Sequence, residues 1–123
     1  MNKTNCGVAC VERYLQLTDR YNDPIICELK QEVTEEGLSF QSIIDVMGRH
    51  GYSVSGYYSR KVFHEVPYVM FDRKRKHYYL IERIDRFTVS LYDPNSGEVR
   101  ILRPLFALFW CKYYLTICYN EGG

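Results

Sequence analysis

Apolar residues recur at spacings of three and four through the first half of the chain and at every second position after it. Val8, Val11, Tyr14 and Leu15 form one stripe from Cys6 to about Leu17, and Ile25, Ile26, Leu29 and Val33 form another behind Pro24. Both have the period of a helix that buries one face, and a proline suits the first turn of the second. Phe40, Ile43, Ile44 and Met47 repeat the pattern between Ser39, a good N-cap, and Gly51, a residue type favoured just past a helix end. Three consecutive helices are predicted over about residues 5–51.

Beyond Gly51 the period falls to two, in short runs rich in Tyr, Val and Ile: YSVSGYY, PYVMF, HYYLIERI, TVSLY, EVRIL and KYYLTICY. Turn-forming residues separate them, DRKRK at 72–76, DR at 85–86 and DPNSG at 93–97. Helices followed by a run of strands predict an α+β fold, with helices packed on an antiparallel sheet spanning about residues 52–119. The most apolar stretch, from Leu105 to Tyr119, is interrupted by Lys112 and is shorter than the ~20 apolar residues a bilayer crossing needs. It reads as core.

Length and charge narrow the function. At 123 residues the chain is expected to form a single domain with one active site at most. Sixteen Lys and Arg against fifteen Asp and Glu leave a net charge of +1, which argues against nucleic acid or a membrane surface as a bulk partner. The basic run Arg73–Lys76 reads as a solvated hairpin turn, with contact to a phosphate or an acidic peptide as its functional alternative. The first ten residues lack the apolar stretch and cleavage site of a signal peptide, so a cytoplasmic location is expected. In that compartment five cysteines do not suggest a disulfide framework. Cys6 and Cys10 are spaced too widely for a zinc knuckle or a thioredoxin-like pair, and Cys27, Cys111 and Cys118 are scattered; neither metal nor cofactor is expected.

Nucleophilic catalysis remains. Cys6 falls at the start of the first predicted helix, where unpaired amides and the helix dipole stabilise a thiolate and lower its pKa. Cys10, one turn on, reads as a small buried hydrophobe, and Gly7 as space for an approaching substrate backbone. A thiol nucleophile needs a base, and the base needs an orienting group. His50 ends the third helix as a cap residue and His64 lies in an irregular polar stretch, whereas His77 opens HYYLIERI and Asp93 closes the next strand. A hairpin centred on Asp85 would set His77 directly opposite Asp93, with Cβ atoms ~5 Å apart. A two-residue loop at Asp85-Arg86 would send the two side chains to opposite faces. A His–Asp pair therefore demands an odd-length loop or a bulge. By themselves, His77 also suits strand packing and Asp93 the opening of a DPNSG turn.

Three motifs resemble those of the double-glycine leader peptidases, papain-like cysteine peptidase domains usually found at the N-terminus of bacteriocin-exporting ABC transporters. NCGVAC is similar to the acidic-Cys-Gly-x-Ala-Cys/Ala nucleophile motif, with Asn5 in place of the acidic residue. HYYLI resembles the histidine motif, DPNSG the Asp-Pro-x-x-Gly motif, and GLSFQSIIDVMGRHGY the helix between them. The resemblance implies a papain-like fold and a Cys6–His77–Asp93 triad that cuts after a Gly-Gly pair in the leader of a secreted peptide such as a bacteriocin or pheromone precursor. It also implies a leader-bearing peptide and a separate ABC transporter as partners, at the inner face of the membrane. The family's oxyanion glutamine stands six residues before the nucleophile, a position that falls upstream of Met1. The Cys6 backbone, with Asn2 or another donor, is expected in its place; a weak or inactive relative that only binds a leader or signal peptide is the alternative.

Overall fold

The computed structural model describes residues 5–120. Along the chain run α1 (Cys6–Leu17), α2 (Asp23–Glu32), α3 (Phe40–Arg49), β1 (Tyr52–Tyr58), β2 (Tyr68–Asp72), β3 (His77–Ile84), β4 (Thr88–Asp93), β5 (Gly97–Leu102), α4 (Arg103–Phe109) and β6 (Tyr113–Tyr119). The helix starts are set by the residues that mark them in sequence. Asn22 Oδ1 accepts from the Ile25 amide (3.4 Å) with Pro24 in the first turn of α2, and Ser39 Oγ accepts from the Ser42 amide (3.0 Å) at α3.

The strands form one antiparallel sheet in the order β1-β6-β2-β3-β4-β5. Its two faces bury different cores. Val69, Tyr78, Leu80, Leu115 and Ile117 meet the apolar faces of α1, α2 and α3, while the alternate residues Tyr68, Met70, Ile81, Val89, Leu91 and Tyr114 meet Phe106 and Trp110. The expected α+β architecture is present, with α1–α3 on one face and the short α4 on the other.

Two features differ from the sequence reading. α4 was not expected, because Leu105–Trp110 is apolar on nearly every position and shows no helical stripe; Pro104 in its first turn is the signal that marks it. Nor is the whole stretch core. Phe106 and Trp110, four apart, turn inward, while Leu108 and Phe109 are 81% and 60% exposed.

Gly7 also serves a different purpose from the one expected. A Cβ there would stand 3.0 Å from Tyr78 Cε2 and 3.2 Å from Leu38 Cβ, so the missing side chain admits the Tyr78 ring rather than a substrate. That ring is held by its hydroxyl, which donates to the Leu38 carbonyl at 2.5 Å. Overpacking costs about 1–3 kcal/mol, more than the up to ~1 kcal/mol a helix gains from Gly→Ala. Gly7→Ala is thus expected to lower the urea midpoint with an unchanged m-value, and an unchanged or raised midpoint would contradict this packing.

Candidate active site

β3 and β4 supply two of the predicted residues. Asp85 N–H donates to Thr88 O (2.8 Å), closing a two-residue loop over Arg86 and Phe87, and the ladder starts with Ile84 opposite Val89 and Arg83 opposite Ser90. Continued unbroken, it would set Asp93 opposite Leu80, whose side chain lies in the helical core. The register instead shifts between Ile81 and Arg83, so that Ile81 pairs with Leu91 and Leu80 with Tyr92. The extra residue is Glu82, which meets Arg13 of α1 at 3.4 Å. This bulge reverses the parity of the strand and returns His77 and Asp93 to one face.

The two are not directly opposed, as a hairpin centred on Asp85 would have made them. The register carries Tyr79 to the position opposite Asp93, and His77 reaches it diagonally from two residues further along. His77 Nε2 lies 2.8 Å from Asp93 Oδ1, and His77 is only 6% exposed. With Nε2–H donating to the carboxylate, Nδ1 is the nitrogen left to accept a proton. Tyr79 packs edge-on against the imidazole with ring centres 4.6 Å apart, a contact that strand alternation alone could have suggested.

Cys6 arrives from the other face of the sheet, at the first residue of α1. Its sulfur accepts from the Tyr78 amide (3.4 Å) and lies 4.0 Å from the Lys76 carbonyl, against the peptide groups on either side of His77. It makes no hydrogen bond to the imidazole among the described residues. Cys6 is 2% exposed, and burial pushes its thiol pKa above the ordinary value, aided by the Asp93 charge and opposed by the amides of Tyr78, Gly7 and Cys6 itself. The expected lowering at the helix start is therefore reversed: the amides act in the predicted direction, but desolvation outweighs them.

Asn2, the suggested oxyanion donor, lies outside the described residues. Cys10 is fully buried, as its place one turn into α1 implied. His50 caps α3 and contacts Glu28 at 3.2 Å, and His64 lies in the irregular segment between β1 and β2. Arg73–Lys76 form the exposed β2–β3 turn, closed by Asp72 Oδ1 accepting from the Lys74 (3.1 Å) and Arg75 (3.2 Å) amides. No group of three His, Cys, Asp or Glu among the described residues is arranged to hold a metal. Nor is any described helix long and apolar enough to cross a membrane. Beside Asp93, a cleft of about 210 Å³ opens between Tyr79, Leu91, Phe106, Phe109 and Cys111.

The buried thiols make stability pH-dependent. Desolvation raises Cys10 well above 9.0, and Cys6 moves the same way. Above the ordinary thiol value the unfolded chain releases protons that the folded chain keeps, so stability is full below it and falls as pH rises. Urea unfolding is expected to show a lower midpoint at about pH 10 than at about pH 8, with a smaller difference in Cys10→Ala. A midpoint independent of pH would show that neither thiol is desolvated.

Known proteins share this arrangement of helices and sheet. The model of a family described as the Peptidase C39 family matches residues 1–121. No curated protein matches the chain by sequence. Among solved structures, the chain resembles a double glycine motif protease from an AMS/PCAT transporter, crystallised with its leader peptide, at TM-score 0.83 and 16% identity over 98% of this chain and 88% of that one. It resembles the peptidase domain of Streptococcus ComA, a bifunctional ABC transporter of a quorum-sensing pathway, at 0.80 and 13% over 98% and 95%. The N-terminal C39-like domain of a Vibrio parahaemolyticus toxin secretion ATP-binding protein matches at 0.71 and 13% over 98% and 99%. At these identities the likeness establishes the shared fold.

Proposed function

The chain belongs to the Peptidase C39 family, and from that premise we propose that it is a cysteine endopeptidase that cuts a leader-bearing peptide after a Gly-Gly pair. Cys6 is the nucleophile, His77 the base and then the acid, and Asp93 the group that orients the imidazole. The observation that carries this reading is the buried His77–Asp93 pair, set on one face by the bulge at Glu82, with the Cys6 sulfur against the peptide groups flanking His77.

The roles follow from the atoms. The Cys6 thiol passes its proton to Nδ1, a step that requires the side chain to leave the β3 backbone groups it now meets. The sulfur then adds to the carbonyl carbon of the second glycine. The resulting oxyanion accepts from the Cys6 amide at the start of α1, where backbone N–H groups lack helical partners. His77 returns the proton to the leaving amine, and water releases the glycine carboxylate from the thioester. The second oxyanion donor of this reading is Asn2 or another group. The transporter settings of the similar structures support a leader peptide handed on to an ABC transporter at the inner face of the membrane, such as a bacteriocin or pheromone precursor.

A second reading, a leader-binding relative without turnover, is favoured by one observation: the sulfur is almost fully buried and bonded to backbone rather than to the imidazole. Incubation with a Gly-Gly leader peptide, analysed by mass spectrometry, separates the two. Release of a leader ending in Gly-Gly by the wild type and not by Cys6→Ala supports the peptidase. Binding by both without cleavage by either supports the second reading.

A further inference from the structure

The near-neutral total charge conceals a concentrated basic site. The β2–β3 turn and Lys112, just before β6, line a groove of about 800 Å³ with Arg73, Lys74, Arg75 and Lys112, against one carboxylate, Asp72. Four cations against one acid give this groove +3 in a chain whose total is +1. Asp72 is already engaged: one oxygen closes the turn on the Lys74 and Arg75 amides, and the other lies 3.9 Å from the Arg75 guanidinium. Arg73 is steadied at 3.2 Å from the Tyr113 hydroxyl. Lys74 and Lys112 have no ion-pair partner among the described residues.

The groove is continuous with the candidate site. Asp72, Arg75, Phe109 and Cys111 line both it and the smaller cleft that reaches Asp93. A trough therefore leads from Asp93, past the exposed Phe109 ring, to the basic turn. The same groove is lined by the exposed Leu108 and Phe109, and four cations beside two apolar side chains match a peptide carrying both acidic and apolar residues better than a compact phosphate. Because the groove is concave, a flat lipid surface would touch only its rim, whereas a peptide can enter.

We propose that this trough binds an acidic stretch of the substrate peptide, so that Arg73, Lys74, Arg75 and Lys112 select acidic over basic substrates. The inference rests on the leader-peptidase reading and adds the charge of the substrate to it. Exposed charges interact over about a Debye length, so the selectivity is strong at low salt and fades as salt rises.

Two labelled peptides test it, with identical apolar residues and Gly-Gly site but glutamates in one and lysines in the other at the polar positions. By fluorescence anisotropy at low salt, the wild type is expected to bind the glutamate peptide about tenfold more tightly, a difference that several exposed pairs together supply. The preference should shrink at about 0.5 M salt, where screening is nearly complete over a few ångströms. Lys74→Glu/Lys112→Glu, with an unchanged melting temperature, should abolish or invert it. Equal binding of the two peptides by the wild type, or a preference that survives the double substitution, overturns the proposal. So does displacement of the glutamate peptide by phosphatidylserine vesicles. Cleavage of both peptides at equal rates would sink this inference alone, and charge-selective binding without cleavage would sink the peptidase reading alone.

Discussion

Alanine in place of Cys6 is expected to lower kcat/KM for a Gly-Gly leader peptide by about 10⁴-fold or more, because removing a covalent nucleophile leaves only binding and the oxyanion donors. No neighbouring thiol can take over. Cys10 is fully buried one turn deeper in α1, and Cys111, which lines the cleft beside Asp93, has its thiol pKa pushed up to about 11 by burial and donates to the Phe109 carbonyl at 3.2 Å. The fold should survive the substitution, since the sulfur's partners are a 3.4 Å bond to the Tyr78 amide and a 4.0 Å approach to the Lys76 carbonyl, both weak. Peptide binding is therefore expected to persist while turnover vanishes. Kinetics by chromatography of the products, with binding measured by anisotropy, checks both halves. Retention of more than about 1% of wild-type turnover would remove Cys6 from the mechanism, since that remainder is far above what binding alone sustains. His77→Ala should fall to a similar level, and the double variant no further, because the pair acts as a unit.

Asp93 is expected to show a graded response that distinguishes two roles of one oxygen. Asp93 Oδ1 meets His77 Nε2 at 2.8 Å and also accepts from the Asn95 amide at 2.9 Å, so the same atom orients the imidazole and closes the turn before β5. Asp93→Ala removes the acceptor from both donors. It should lower kcat by about 10²–10³-fold through a misplaced imidazole, and stability by about 1 kcal/mol through the lost turn bond. Asp93→Asn keeps a carbonyl oxygen for both donors and should lose only about tenfold in kcat, the charge contribution alone, with KM little changed. Equal activity of wild type, Asn and Ala forms would leave Asp93 a turn residue only. A loss in stability without a loss in kcat would likewise confine Asp93 to the turn.

The extent to which this site could be read from sequence differs from residue to residue. Cys6 at the start of α1 and His77 at the start of β3 follow from local periodicity, and the bounds of both elements match the runs that predicted them. That His77 and Asp93 needed a bulge or an odd loop to meet was also legible, because side chains alternate strictly along a strand. Which of these occurred was not. The loop has two residues and the bulge lies at Glu82, where an ion pair to Arg13 links it to a helix about seventy positions earlier in the chain. The short α4 leaves no periodic mark in the sequence because its residues are apolar almost throughout, and period is invisible where there is no contrast.

The basic turn illustrates the same boundary. Its position between two strands was evident, and its meaning was not, because Lys112 and the cleft beside Asp93 join it only through the return of β6 between β1 and β2. The thiol of Cys6 departs from its expected pKa for a related reason. The helix start that lowers its pKa is local, whereas the burial that raises it comes from packing α1 on the sheet.

Periodicity and turn chemistry act within a few residues, and they were enough for α1–α3, the six strands and the α+β order, though not for α4; Cys6, His77 and Asp93 were legible as candidates, and their roles came from the resemblance. Long-range packing set the register that joins His77 to Asp93, the face from which Cys6 arrives, the burial of its sulfur and the trough to the basic turn. Each of these depends on contacts between segments far apart in the chain, and those contacts are fixed only when the sheet's two faces are packed.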